Sequence, residues 1–113
     1  MMRPNPKRLN PLQLRTLTVL QALARERAFA YPPERDGAVL IHTLPHAHGD
    51  HFHVGPAVVS ARDATGLGNP SVLNALARKG LLLAGRTGLP VLTAEGLAYD
   101  TGIADEILHG ADH

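Results

Sequence analysis

The sequence predicts an α+β domain in which capped helices alternate with short antiparallel strands. Three observations lead there. The pair Asn-Pro stands twice just ahead of apolar residues at helical spacing, at 10–11 and at 69–70. Two short apolar runs flank Gly85-Arg86-Thr87-Gly88, the composition of a turn between paired strands. Between the two helices lies a β-like stretch, His42 to His53, that carries five of the seven histidines. At 113 residues, the chain is expected to form one domain, 1–113, with one core.

Asn10 is a preferred N-cap and Pro11 suits the first helical position, where no backbone donor is needed. Leu14, Leu17, Leu20, Leu23 and Ala24 then form an apolar stripe that predicts a first helix to about Arg27. Ahead of it, residues 1–9 are expected as a flexible basic arm. Tyr31-Pro32-Pro33 blocks further helix, Asp36-Gly37 marks a turn, and Val39-Leu40-Ile41 begins a strand. Residues 38–60 are expected as a His-rich hairpin inserted after the first helix. Residues 55–67 admit two readings. Gly55-Pro56 would begin a short helix through Thr65, or Ala57 to Ser60 would pair as a strand with Val39 to Pro45.

Asn69-Pro70 starts the next helix, with Val72, Leu73, Leu76 and Ala77 on one side and Ser71, Asn74, Ala75 and Arg78 opposite. Lys79-Gly80 ends it, because Gly takes the left-handed C′ conformation cheaply and Lys complements the negative end of the helix dipole. Leu81 to Ala84 and Leu89 to Thr93 are expected as two strands, the second confined to a sheet edge by Pro90. Thr93 caps a last helix with Glu95 in its first turn.

A helix, a Lys-Gly stop, two strands around a Gly-rich turn and a Thr-started helix form the second half of a winged helix-turn-helix. In Val72, Leu76, Lys79, Gly80, Leu81, Leu92, Thr93 and Gly96, residues 69–99 resemble the MarR- and PadR-type winged-helix regulators. The resemblance implies a small transcriptional regulator that binds double-stranded DNA. The helix from Asn69 to Lys79 would enter the major groove, where Ser71, Asn74, Arg78 and Lys79 would reach base edges or phosphates. Arg86 at the wing tip would approach the neighbouring backbone or minor groove, with Lys7, Arg8 and Arg15 as accessory phosphate contacts.

Charge is distributed in a way that bears on this. The formal net charge is +1, but residues 1–35 hold seven Lys/Arg against two Glu, a net +5, and the remainder holds four basic against eight acidic residues, a net −4. The basic part would track phosphates and the acidic part would be repelled by them. The competing reading is a non-catalytic interaction module that keeps the fold and binds protein through its outer helix, whose face is poor in Arg, Gln and Lys. Ala94 to His109 would form a C-terminal helix pairing with a second copy in a homodimer, although Gly102 weakens or splits it.

The histidines give a second expectation. With Gly49-Asp50 as a two-residue hairpin turn, His48 would face His51 and His46 would face His53, all on one face with His42 further along. Such imidazoles, with Asp50 nearby, suit Zn(II) or another divalent transition cation and would make the regulator metal-responsive. His109, Asp112 and His113 are further candidate ligands, and the absence of Cys excludes thiolate ligands. The same face, protonated, would instead act as an acid-sensitive switch.

His46-Ala47-His48-Gly49-Asp50-His51 also resembles the His-x-His-x-Asp-His motif of the metallo-β-lactamase fold, which implies a metal-dependent hydrolase. That family needs later His and Asp ligands on further strands, and this chain has no His between 54 and 108. The expectation is therefore a protein that is not an enzyme. With no apolar run approaching the ~20 residues of a membrane span, a cytoplasmic protein with no membrane partner is expected.

Overall fold

The computed structural model describes residues 4–47, 49–83 and 89–110. One helix, α1 (Pro11–Ala24), runs through the middle of the fold, and every residue from Thr16 to Leu23 is buried. Its start is a capping box. The Asn10 side chain accepts from Gln13 N, and the Gln13 side chain returns the bond to Asn10 N. A helix buried on all sides needs apolar neighbours around its whole circumference. α1 has them in a 3-10 helix (Ala61–Gly68), α2 (Pro70–Arg78), α3 (Ala94–Ala98), α4 (Ala104–Ile107) and the strand β5 (Val91–Leu92).

The first sheet has the order β1-β5-β4, with β1 at Val39–Leu40 and β4 at Leu82–Leu83, both antiparallel to β5. Its strands are two residues long, so each cross-strand row is a complete face. Val39, Leu92 and Leu82 form the inward row and are buried, and Leu40, Val91 and Leu83 form the outward row. The second sheet has the order β2-β3-β6, from His51–Val54, Ala57–Ser60 and His109–Gly110. Phe52, Val54 and Val59 point inward and join the same core as Leu17, Leu20, Leu23, Ile41, Leu76 and Leu81.

Two polar side chains inside this core tie α1 to the C-terminal segment. Gln21 Nε2 donates to the carbonyls of Gly96 and Tyr99, and the Thr18 and Thr101 hydroxyls hydrogen-bond to each other at 2.7 Å. α3 lies so close to the backbone after α2 that a Cβ on Gly96 would sit 2.0 Å from the Leu81 carbonyl oxygen. Only a residue without a side chain fits there.

Several expectations are corrected. Pro90 does not put its strand at an edge, because β5 is central. The proline precedes the paired residues, and its carbonyl accepts from Ile41 N at 3.0 Å, so its missing N–H interrupts no ladder. Ala75 is buried rather than outward. The expected C-terminal helix is split, since α3 ends at Ala98, α4 starts at Ala104 with Gly102 at φ +75 between them, and His109 lies in a strand. The long helix that was to pair two copies is therefore absent. Residues 4–9 are docked rather than loose: Lys7 N donates to the Tyr99 hydroxyl, which donates to Asn5 Oδ1.

The hairpin also turns elsewhere. Gly49 does bend the chain, at φ +70, but the two-residue turn is Gly55-Pro56, which joins β2 to β3. Gly55 at φ +56 has the positive φ that the first position of a II′-type hairpin needs, and the fixed φ of Pro56 suits the second. Residues 42–47 are irregular; Pro45 in their midst cannot donate to a ladder. Ala57–Ser60 is a strand, as one of the two readings had it, but it pairs with β2 and β6 and not with residues 39–45.

Candidate functional site

α2 presents one face to solvent. Its cap is made by Asn69, whose side chain accepts from Ser71 N at 3.0 Å, and Pro70 follows in the first turn. Val72, Ala75 and Leu76 are buried, which leaves Ser71, Asn74 and Arg78 exposed at successive spacings of three and four residues. These three expected DNA-contacting side chains therefore share a face. The 3-10 helix packs against both α1 and α2 and joins α2 through Asn69 alone; it overlaps only the last part of the helix expected from Gly55 to Thr65, whose earlier part is the strand Ala57–Ser60.

The basic residues divide into two groups. Arg8 and Arg78 are exposed. Lys79 is turned inward and donates to the Lys7 carbonyl at 2.6 Å, and Lys7 Nζ pairs with Glu95 at 2.8 Å. Both lysines thus hold the N-terminal segment against α2 and α3. Arg15 lies on the side toward the 3-10 helix, with its Nε 4.0 Å from Asp63 Oδ1. Arg86 lies outside the described residues.

Beside the polar face of α2 is an apolar one. A cleft of about 330 Å³ opens between α2 and β4, lined by Leu67, Pro70, Leu73, Ala77, Leu82 and Leu89 among others, and Asn74 borders it as well. The outward row of the first sheet, Leu40, Val91 and Leu83, adds further apolar surface. Leu83 is 49% exposed and Tyr31, on the adjoining segment, 56%. This surface was not anticipated. The continuous apolar runs at 39–41 and 81–83 were its signal, because an uninterrupted run puts apolar side chains on both faces of a strand.

The histidines are distributed differently from the sequence expectation. His42 belongs to the segment after β1. Its ring lies 4.5 Å from that of Tyr31, with Nδ1 2.8 Å from Thr43 Oγ1. His46 is exposed on the irregular segment, and His48 lies outside the described residues. His51 and His53 occupy alternate positions of β2 on its outward side, their ring centres 5.2 Å apart. Asp50 Oδ1 is 3.4 Å from His51 Nδ1. His51 faces Ser60 and His53 faces Val58 across the hairpin, in place of the expected facing by His48 and His46. Among the described residues, no group of three or more His, Asp or Glu side chains is gathered closely enough to hold a metal ion. Asp112 and His113 lie outside them.

Comparison with protein-family models, with curated proteins and with solved structures finds no match to this chain. Among the described residues, no helix is long and apolar enough to cross a membrane.

Proposed function

We propose that this protein binds double-stranded DNA as a small regulator of winged-helix type, with α2 as the helix that enters the major groove. The observation that carries the reading is the exposed row Ser71, Asn74 and Arg78 on a nine-residue helix that is followed directly by an antiparallel ribbon. The order of helix, Lys79-Gly80 stop, paired strands and Thr93-capped helix is what the resemblance to the MarR- and PadR-type regulators rests on. On this reading Asn74 offers paired donor and acceptor groups to an adenine edge. Arg78 reaches a phosphate or guanine, and Arg8 adds a phosphate contact.

The test is titration of a labelled duplex at several salt concentrations with wild-type protein, Asn74→Ala and Arg78→Ala. Arg78→Ala is expected to weaken binding and to lower the slope of log affinity against log salt by about 1 if it contacts one phosphate. Equal affinities and slopes for wild type and Arg78→Ala would refute the reading.

A second reading, a non-catalytic module that binds another protein, is favoured by a different surface: the α2–β4 cleft together with the half-exposed Leu83 and Tyr31. Contiguous exposed apolar surface of this kind marks interaction sites more often than it decorates a monomer. Leu83→Lys separates the two readings, since it would leave duplex affinity intact or raise it and abolish a protein contact made there.

A further inference from the structure

We propose that the outward face of the β2-β3-β6 sheet binds a divalent transition cation through His51 and His53, with His109 brought to the same face as a third ligand. The proposal is independent of DNA binding and narrows the ligand set expected from sequence to these three histidines.

The placement follows from strand register. Opposed residues of an antiparallel pair share a face. His53 is opposite Val58, and Val58 is in turn opposite His109. His51, two residues before His53, lies on that face too, while Phe52 and Val54 alternate into the core. The face thus carries imidazoles from two segments more than 50 residues apart in sequence. No hydrophobic requirement selects them, because His53 and His109 are both exposed.

His51 and His53 already have the separation of two ligands on one ion. Metal–nitrogen distances of about 2.0–2.1 Å at a tetrahedral angle put two ring centres about 5 Å apart, against the observed 5.2 Å. Asp50 Oδ1 lies 3.4 Å from His51 Nδ1; with the proton on that nitrogen, the Nε2 lone pair is left for a metal. His109 stands two strand spacings from His53, about 10 Å along the sheet. The three rings are not gathered around one point as they stand, so the exposed His109 ring would have to rotate toward an ion held above Val58. A site of imidazoles with one carboxylate behind them selects Cu(II), Ni(II) or Zn(II) over Mg²⁺ or Ca²⁺.

The experiment is calorimetric titration of the full chain with Cu(II), Zn(II) and Mg²⁺ salts in the absence of DNA. Electron paramagnetic resonance of the Cu(II) form then counts the coordinated nitrogens. One Cu(II) per chain is expected, bound more tightly than Zn(II), with no Mg²⁺ uptake. His51→Ala and His53→Ala should each weaken binding by about tenfold or more, Asp50→Asn by about tenfold, and His42→Ala not at all. His109→Ala should remove one nitrogen from the Cu(II) spectrum. All these side chains are at least partly exposed, so the variants keep the core intact. Wild-type affinity for Cu(II) weaker than about 100 μM, or a His42→Ala loss as large as that of His51→Ala, would overturn the site. An unchanged spectrum in His109→Ala would overturn the third ligand. Because no DNA is present, failure here and failure of the duplex titration are read separately.

Discussion

The two small sheets are built alike and finished differently. Each has three antiparallel strands, and each recruits a strand from far along the chain: β5 pairs with β1 across some 50 residues, and β6 with β3 across a similar span. Each turns a row of large apolar side chains into the one core around α1, Val39, Leu92 and Leu82 in the first and Phe52 and Val59 in the second. Their outward rows have nothing in common. The first shows Leu40, Val91 and Leu83, and the second His51, His53 and His109 around Val58. Inward rows answer to packing, which tolerates little variation. Outward rows are free of that demand, so their contrasting chemistry is where a difference in function is to be sought.

The inward rows set the largest expected effects. Leu92→Ala and Phe52→Ala, one in each sheet, should each cost about 3 kcal/mol or more. If both sheets share one core, denaturant melts of both variants will show a single transition; loss of one sheet alone at lower denaturant would separate them. Gly96→Ala comes next. Its Cβ would have to displace the Leu81 carbonyl, which also accepts from Thr93 N at 3.2 Å, and a loss of about 1–3 kcal/mol is expected from the same melts. Leu83→Ser and His53→Ala on the outward rows should shift stability by no more than about 0.5 kcal/mol. A large loss from either would mean that the outward rows are structural after all.

Local chemistry made much of the fold legible. Asn10-Pro11, Asn69-Pro70 and Thr93 start helices where their cap chemistry said, and the Thr93 hydroxyl accepts from Gly96 N at 2.9 Å. Leu82–Leu83 and Val91–Leu92 pair as expected. What escaped was the choice between equivalent local signals. Gly49-Asp50 and Gly55-Pro56 are both turn pairs, and the second makes the hairpin because it lets Phe52, Val54 and Val59 enter the core together. The opposite choice would have needed residues 42–47 as a strand, with Pro45 in its ladder. Non-local pairing was equally hidden. Nothing in His109-Gly110 announces a strand, and it becomes one by meeting β3.

The candidate site was legible to the same degree. Ser71, Asn74 and Arg78 follow from helical periodicity and do share an exposed face. The partners of Lys7 and Lys79, Glu95 and a backbone carbonyl, were not legible, because a basic side chain in a linear sequence does not reveal what it meets in the fold. Among the histidines, alternation along β2 was read correctly for His51 and His53, and the pairing partners were not.

The most direct test of the DNA-binding proposal is an amide correlation spectrum of the labelled protein recorded during addition of duplex DNA. It predicts progressive shifts at Ser71, Asn74 and Arg78, with the β2-β3-β6 sheet unaffected. A spectrum that does not move, or moves only around Leu40, Leu83 and Tyr31, would contradict it.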